Sequence, residues 1–120
     1  MSLTFPGDSR PKITTATLHD KKQHRQFVDD FKEKHRDRSY VAISTAVNDD
    51  KVSLIIEVSP DLVEQVRADQ LLRTIAPVIE ARGGGKAERV EAGGRFPEKV
   101  PELYQRAMEA VRLALEGQRV

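Results

Sequence analysis

The sequence has no cysteine and no tryptophan, and its aromatic residues are four phenylalanines and two tyrosines in 120 positions. Without cysteine there is no disulfide framework, no thiol nucleophile and no thiolate metal site. His19, His24 and His35 are the only imidazoles. His19 and His24 have no third ligand within sequence reach, so neither a metal nor a cofactor is expected. No window approaches the roughly 18 consecutive apolar residues of a spanning helix, and MSLTFPGDSR lacks the apolar run of a signal peptide. A cytoplasmic location with no membrane partner is expected. Neither sign of charge dominates: 20 basic and 19 acidic side chains give a net charge of +1. Any affinity for nucleic acid must therefore come from the arrangement of charge and not from its excess.

What is present fits one small soluble α/β domain, with 38% apolar and 32% charged residues. Residues 1–11 have turn formers and no period; they are expected to be a disordered leader in which Met1-Ser2-Leu3 looks like expression residues. The single domain is expected over 12–117. Lys12 to Leu18 is β-branched and alternating, a short strand. His19 to Arg36 has no glycine or proline and carries His24, Phe27, Val28, Phe31 and His35 at helical spacing, a narrow stripe suited to lying on a sheet. Tyr40–Val47 and Val52–Val58 alternate about Asn48-Asp49-Asp50-Lys51, a hairpin. Ser59-Pro60-Asp61 opens a turn that leads to a helix over Ala68–Ala81, in which Pro77 predicts a kink or an early end near Ala76. A glycine-rich loop, a short strand over Glu88–Ala92 and a helix with Val100, Leu103, Tyr104, Ala107, Val111, Ala114 and Leu115 on one face follow, with Gly117 as its stop. The order β-α-β-β-α-loop-β-α predicts one small mixed sheet with helices packed on it.

The glycines carry the functional information. Five of seven lie between positions 83 and 94, interleaved with Arg82, Lys86, Arg89 and Arg95. Successive glycines can aim several N–H groups at one point and admit a phosphate where a Cβ would obstruct it; a flexible surface turn has the same composition. Gly83-Gly84-Gly85-Lys86 has no Ser or Thr after the lysine and no preceding strand, so it is not a nucleotide-hydrolase P-loop. Gly83 follows a helix C-terminus, which repels anions, whereas Gly93-Gly94-Arg95 precedes a helix N-terminus, which attracts them. The second half therefore ranks as the better phosphate site. A secondary basic patch, Lys21, Lys22 and Arg25, sits where the helix dipole disfavours cations. Residues 1–38 hold nine basic and six acidic side chains, the remainder eleven and thirteen.

Catalytic constellations are weak. Asp29, Asp30 and Glu33 share a helix with lysines and read as ion-pairing surface. Ser39, Ser44 and Ser53 lack an elbow motif. Phe27, Phe31 and Tyr104 fit core positions, leaving Phe96 to meet a base or to pack on the last helix; a stacking platform for single strands is poorly supplied, and contact with folded nucleic acid through backbone and shape fits better.

The stretch from Gly83 to Gly94, GGGKAERVEAGG, preceded by ADQLLRTIA over 68–76 and by VSLIIEV over 52–58, resembles the DHHA1 domain at the C-terminus of alanyl-tRNA synthetase. The likeness covers about residues 12–116. Related DHHA1 domains of DHH phosphoesterases typically have histidine directly after the three glycines and a closer Ala-Ala-Gly; Lys86 and the later Ala92-Gly93-Gly94 match the synthetase spacing. The resemblance implies a non-catalytic accessory domain that helps hold the outer corner of alanine tRNA and contributes to subunit association. It implies a nucleic-acid contact at Gly83, Gly84, Gly85, Gly93 and Gly94, with Lys86 at the usual basic position. Glu91 stands where many synthetases have glutamine. The alternative is the nucleotide- or nucleic-acid-binding module of a DHH-type phosphoesterase or of a stand-alone relative.

Overall fold

The computed structural model describes residues 12–18, 21–35 and 39–116. The expected leader over 1–11, His19, Asp20, Arg36 and Gly117 lie outside them. Ten elements follow in order: β1 (Lys12–Leu18), α1 (Lys21–Lys34), β2 (Tyr40–Asn48), β3 (Lys51–Val58), a 3-10 turn (Pro60–Leu62), α2 (Ala68–Ile79), β4 (Arg82–Gly85), β5 (Arg89–Arg95), a second 3-10 turn (Pro97–Lys99) and α3 (Val100–Leu115). The five strands form one mixed sheet in the order β1-β2-β3-β5-β4. β1 runs parallel to β2, and every other pair is antiparallel.

The hairpin forms where its turn chemistry places it. Asn48 pairs with Lys51, and Asp49 takes the positive φ of 56° that aspartate tolerates. In β2 every residue from Tyr40 to Ala46 is buried, because both faces of the sheet are covered. Val41, Ile43, Val52, Leu54, Ile56 and Val58 meet Leu72, Ile75 and Ile79 of α2 and Leu103, Ala107 and Val111 of α3 in one core. The opposite face carries α1, whose Val28 and His24 are buried and whose Phe31 meets Tyr40 of β2 edge to face, centroids 5.9 Å apart.

Three expectations are corrected. The helix holding Pro77 does not stop near Ala76 but continues to Ile79. Pro77 and Arg73 are exposed, so the Arg73 carbonyl that loses its donor faces solvent, and Glu80 then ends the helix in a left-handed conformation (φ 52°). The glycine loop is partly a strand: Arg82–Gly85 pairs with β5. β5 itself runs past Ala92 to Arg95, taking in Gly93 and Gly94.

Gly83, Gly85 and Gly94 are needed for close approach. A Cβ on Gly94 would lie 2.6 Å from the Ile79 carbonyl oxygen and 3.0 Å from its Cδ1, and one on Gly83 would lie 2.2 Å from the Glu91 carbonyl oxygen. On Gly84 a Cβ meets nothing within 4 Å. Gly94→Ala is therefore expected to cost roughly 1–3 kcal/mol, since α2 must move off the sheet, whereas Gly84→Ala should stay within about 0.5 kcal/mol of the parent. Urea unfolding of the two variants checks this; equal stabilities would contradict the close packing of α2 on β5.

Candidate nucleic-acid interface

The glycine amides are fixed by the ladder. Lys86 N–H donates to the Arg89 carbonyl at 2.8 Å. That makes Lys86 and Arg89 a hydrogen-bonded pair, and alternation along the register makes Gly84–Glu91 and Arg82–Gly93 bonded pairs too. On the other side of β5, Val58 N–H donates to the Glu88 carbonyl at 2.7 Å, so Val52–Gly94 is likewise a bonded pair. Gly84, Gly93 and Gly94 thus spend their amides inside the sheet, and Gly83 and Gly85 turn theirs to the open edge of β4. The expected phosphate cradle before a helix is corrected: Gly93-Gly94-Arg95 ends a strand. Phe96, with φ 65°, and the second 3-10 turn separate it from α3. The Phe96 ring lies 5.2 Å from the Lys99 ammonium.

What the sheet assembles instead is a basic groove at one end. A cavity of about 1270 Å³ is lined by Lys51 from β3, Arg73, Ala76 and Pro77 from α2, Glu80 just after it, Arg82 from β4, and Gly93, Gly94 and Arg95 from β5, among others. Lys51 and Arg95 face each other across the β3–β5 ladder, and Arg82 faces Gly93 across β4–β5. Four exposed cations, Lys51, Arg73, Arg82 and Arg95, meet one carboxylate, Glu80. None of the four forms a salt bridge among the described residues. Lys51 and Arg73 were not among the residues singled out in the sequence, because they reach the groove from the hairpin and from the helix.

The remaining predicted cations part from this set. Lys86 follows β4 at its opposite end, exposed, beside the turn to β5. Arg89 is committed inside the molecule: its Nη1 lies 3.0 Å from Glu57 Oε1 and 3.0 Å from Asp29 Oδ1, and its Nε lies 3.6 Å from Glu91. Lys21 is the first residue of α1, and Lys22 is exposed. Arg25 crosses to Glu91 at 3.2 Å. Of the acidic residues of α1, Asp29 pairs with Arg89, and Asp30 accepts a hydrogen bond from Gln26 at 2.8 Å.

Glu57 is 2% exposed. Burial pushes its carboxyl above the ordinary range, opposed by Lys32, 3.8 Å away, and by the Arg89 hydrogen bond. His24 is buried on the same α1 face of the sheet, Nδ1 2.7 Å from Ser44 Oγ, and its Nε2 has no hydrogen-bond partner. Burial lowers its pKa to about 4 against the pull of Glu91, with Arg25 and Arg89 adding to the lowering. Ser44 at 0% and His24 at 2% exposure make this a buried link between α1 and the sheet. No group of three or more His, Asp or Glu side chains able to hold a metal ion is found among the described residues.

The model of the DHHA1 domain matches residues 11–113, and the chain belongs to that family. It is similar to the alanine–tRNA ligase of Nitrosomonas europaea, 36% identical over 93 residues that cover 78% of this chain and 10% of the ligase. It is also similar to that of Staphylococcus aureus strain RF122, 33% identical over 88 residues, 73% of this chain and 10% of the ligase. The chain spans about a tenth of the length of these relatives. Among solved structures, the C-Ala domain from Aquifex aeolicus alanyl-tRNA synthetase shares the fold, with TM-score 0.71 and 23% identity over 92% of this chain and 98% of that one. A DHH-domain protein described as a member of the s1p family of ribosomal proteins aligns with TM-score 0.53 and 18% identity, over 75% of this chain and 20% of that one. No described helix is long and apolar enough to cross a membrane.

Two stability predictions follow from the α1 face. Arg89→Met leaves Glu57 buried beside Lys32 alone and is expected to cost about 3 kcal/mol, most of it recovered in the Glu57→Leu/Arg89→Met double variant; thermal unfolding of the three chains decides it. His24 takes up a proton only near pH 4 when folded and near 6.5 when unfolded. Its contribution is therefore complete above pH 6.5 and declines as pH falls towards 4, by up to ~3 kcal/mol. Compared at matched pH, His24→Gln should show a flatter loss of stability over that window, the opposing contribution of Glu57 being common to both chains; parallel curves would show that His24 is not held neutral.

Proposed function

We propose that this domain is a non-catalytic accessory domain that grips tRNA, at its outer corner in the manner the family resemblance implies, and that the basic end of the sheet is the grip. The observation that carries the reading is the groove itself: Lys51, Arg73, Arg82 and Arg95 converge without intramolecular ion pairs, while Arg89, equally basic in the sequence, is spent on carboxylates. Unpaired cations on rigid elements release counterions when they meet phosphates, and this supplies affinity without an excess of net charge. The outward amides of Gly83 and Gly85 add neutral donors along the same edge. The similarity to alanine–tRNA ligases supports alanine tRNA as the first candidate, and a cytoplasmic location is part of this proposal.

Such a grip calls for no cofactor, and its modest strength suits a domain whose contribution adds to that of others. Met108 and Leu113 of α3 are the large apolar side chains exposed among the described residues. The reading rests on the basic groove and is independent of the self-association also expected from the resemblance.

Replacing Arg73 and Arg95 by alanine should weaken tRNA binding and lower the slope of log K against log salt by roughly one per lost phosphate contact. Lys86→Ala should change both less. Filter binding or anisotropy across a salt series measures this, and an unchanged slope in the Arg73/Arg95 variant would remove the groove from the interface.

A further inference from the structure

Beneath the N-terminal half of α1 lies a second, smaller cavity of about 280 Å³, lined by His24, Arg25, Ser53, Ile55, Arg82, Glu91 and Gly93 together with Leu54 and Ala92. It shares Ser53, Arg82 and Gly93 with the basic groove, so the two spaces adjoin. Its volume falls just below the roughly 300–1,000 Å³ of small-ligand sites, room for one ring system. Its polar groups are unevenly satisfied. His24, 2% exposed, has a ring nitrogen without a partner. Ser53 and Arg82 form no side-chain hydrogen bond or ion pair among the described residues. A Cβ on Gly93 would meet nothing within 4 Å, so open space lies over that part of the wall.

We propose that this cavity takes a single unstacked guanine-type base, with the phosphates of the same strand in the adjoining groove; this deepens the RNA-binding reading and rests on it. The mixed lining selects a ring over an anion: Ile55 offers an apolar surface, and the Glu91 carboxylate would repel a phosphate. Glu91 is an acceptor only, and Arg25 at 3.2 Å and Arg89 at 3.6 Å leave part of its lone-pair capacity unused. Among the bases, guanine alone presents two adjacent donors, N1–H and N2–H, to a carboxylate. Adenine, cytosine and uracil each set an acceptor beside a donor on that edge. Arg82 supplies the complementary donor pair for O6 and N7.

Calorimetric titration of the 120-residue chain with guanosine, adenosine and cytidine 5′-monophosphates tests this. Guanosine monophosphate should bind roughly tenfold more tightly than the other two. Glu91→Gln should erase the preference, and Gly93→Val, whose side chain enters the open space, should remove binding with the fold intact by circular dichroism. Absence of saturable binding, equal affinities for the three nucleotides, or a preference unchanged in both variants would overturn the proposal. The readout is the mononucleotide, so tRNA binding without base selectivity counts against the cavity alone, and selectivity without tRNA binding counts against the groove alone.

Discussion

A buried carboxylate organises this domain. Glu57 sits near the end of the central strand β3 at 2% exposure, and an ionised group there is tolerable only with cations close by. Arg89, its partner across the β3–β5 ladder, and Lys32 of α1 meet that need. Arg89 also holds Asp29, so the same contacts dock a helix whose apolar stripe is too narrow to do so alone. One consequence is functional: the most central arginine of the glycine-rich segment is turned inward, and outward binding falls to the cations at the other end of the sheet.

Glycine sets the second constraint. Gly94 lets the last turn of α2 press on β5 within a distance that a methyl group would forbid, and Gly83 does the same between β4 and β5. The motif is thus a packing device first. It brings the C-terminal half of α2, together with Arg73 at its middle, beside the end of the sheet that carries Lys51, Arg82 and Arg95. Binding chemistry and close packing are two uses of the same missing side chains.

The sequence showed most of the architecture. The β2–β3 hairpin, α1 and α3 were legible because their periods are carried by side chains facing a core: Val52, Leu54, Ile56 and Val58 on one side, Leu103, Ala107 and Val111 on the other. β4 was not legible. Arg82-Gly83-Gly84-Gly85 has no side-chain alternation, all four residues are exposed, and the strand exists because β5 offers it a ladder. For the same reason Gly93-Gly94 read as a loop. Pro77 misled because its cost depends on whether the freed carbonyl is buried, a fact set by tertiary structure. Of the basic residues, Arg82 and Arg95 were found through the motif, while Lys51 and Arg73 lie 32 and 10 positions before Gly83 and only the fold unites them. The commitment of Arg89 had one visible sign, a lone glutamate in the apolar run VSLIIEV.

The most direct test of the division between committed and free cations is a two-dimensional NMR titration of the isotopically labelled chain with alanine tRNA. Arginine side-chain and backbone signals of Lys51, Arg73, Arg82, Gly93, Gly94 and Arg95 should shift or broaden together, with Arg89 Nε and the outer face of α3 unmoved. Perturbations centred on Arg89 or on α3, with the groove silent, would contradict the account.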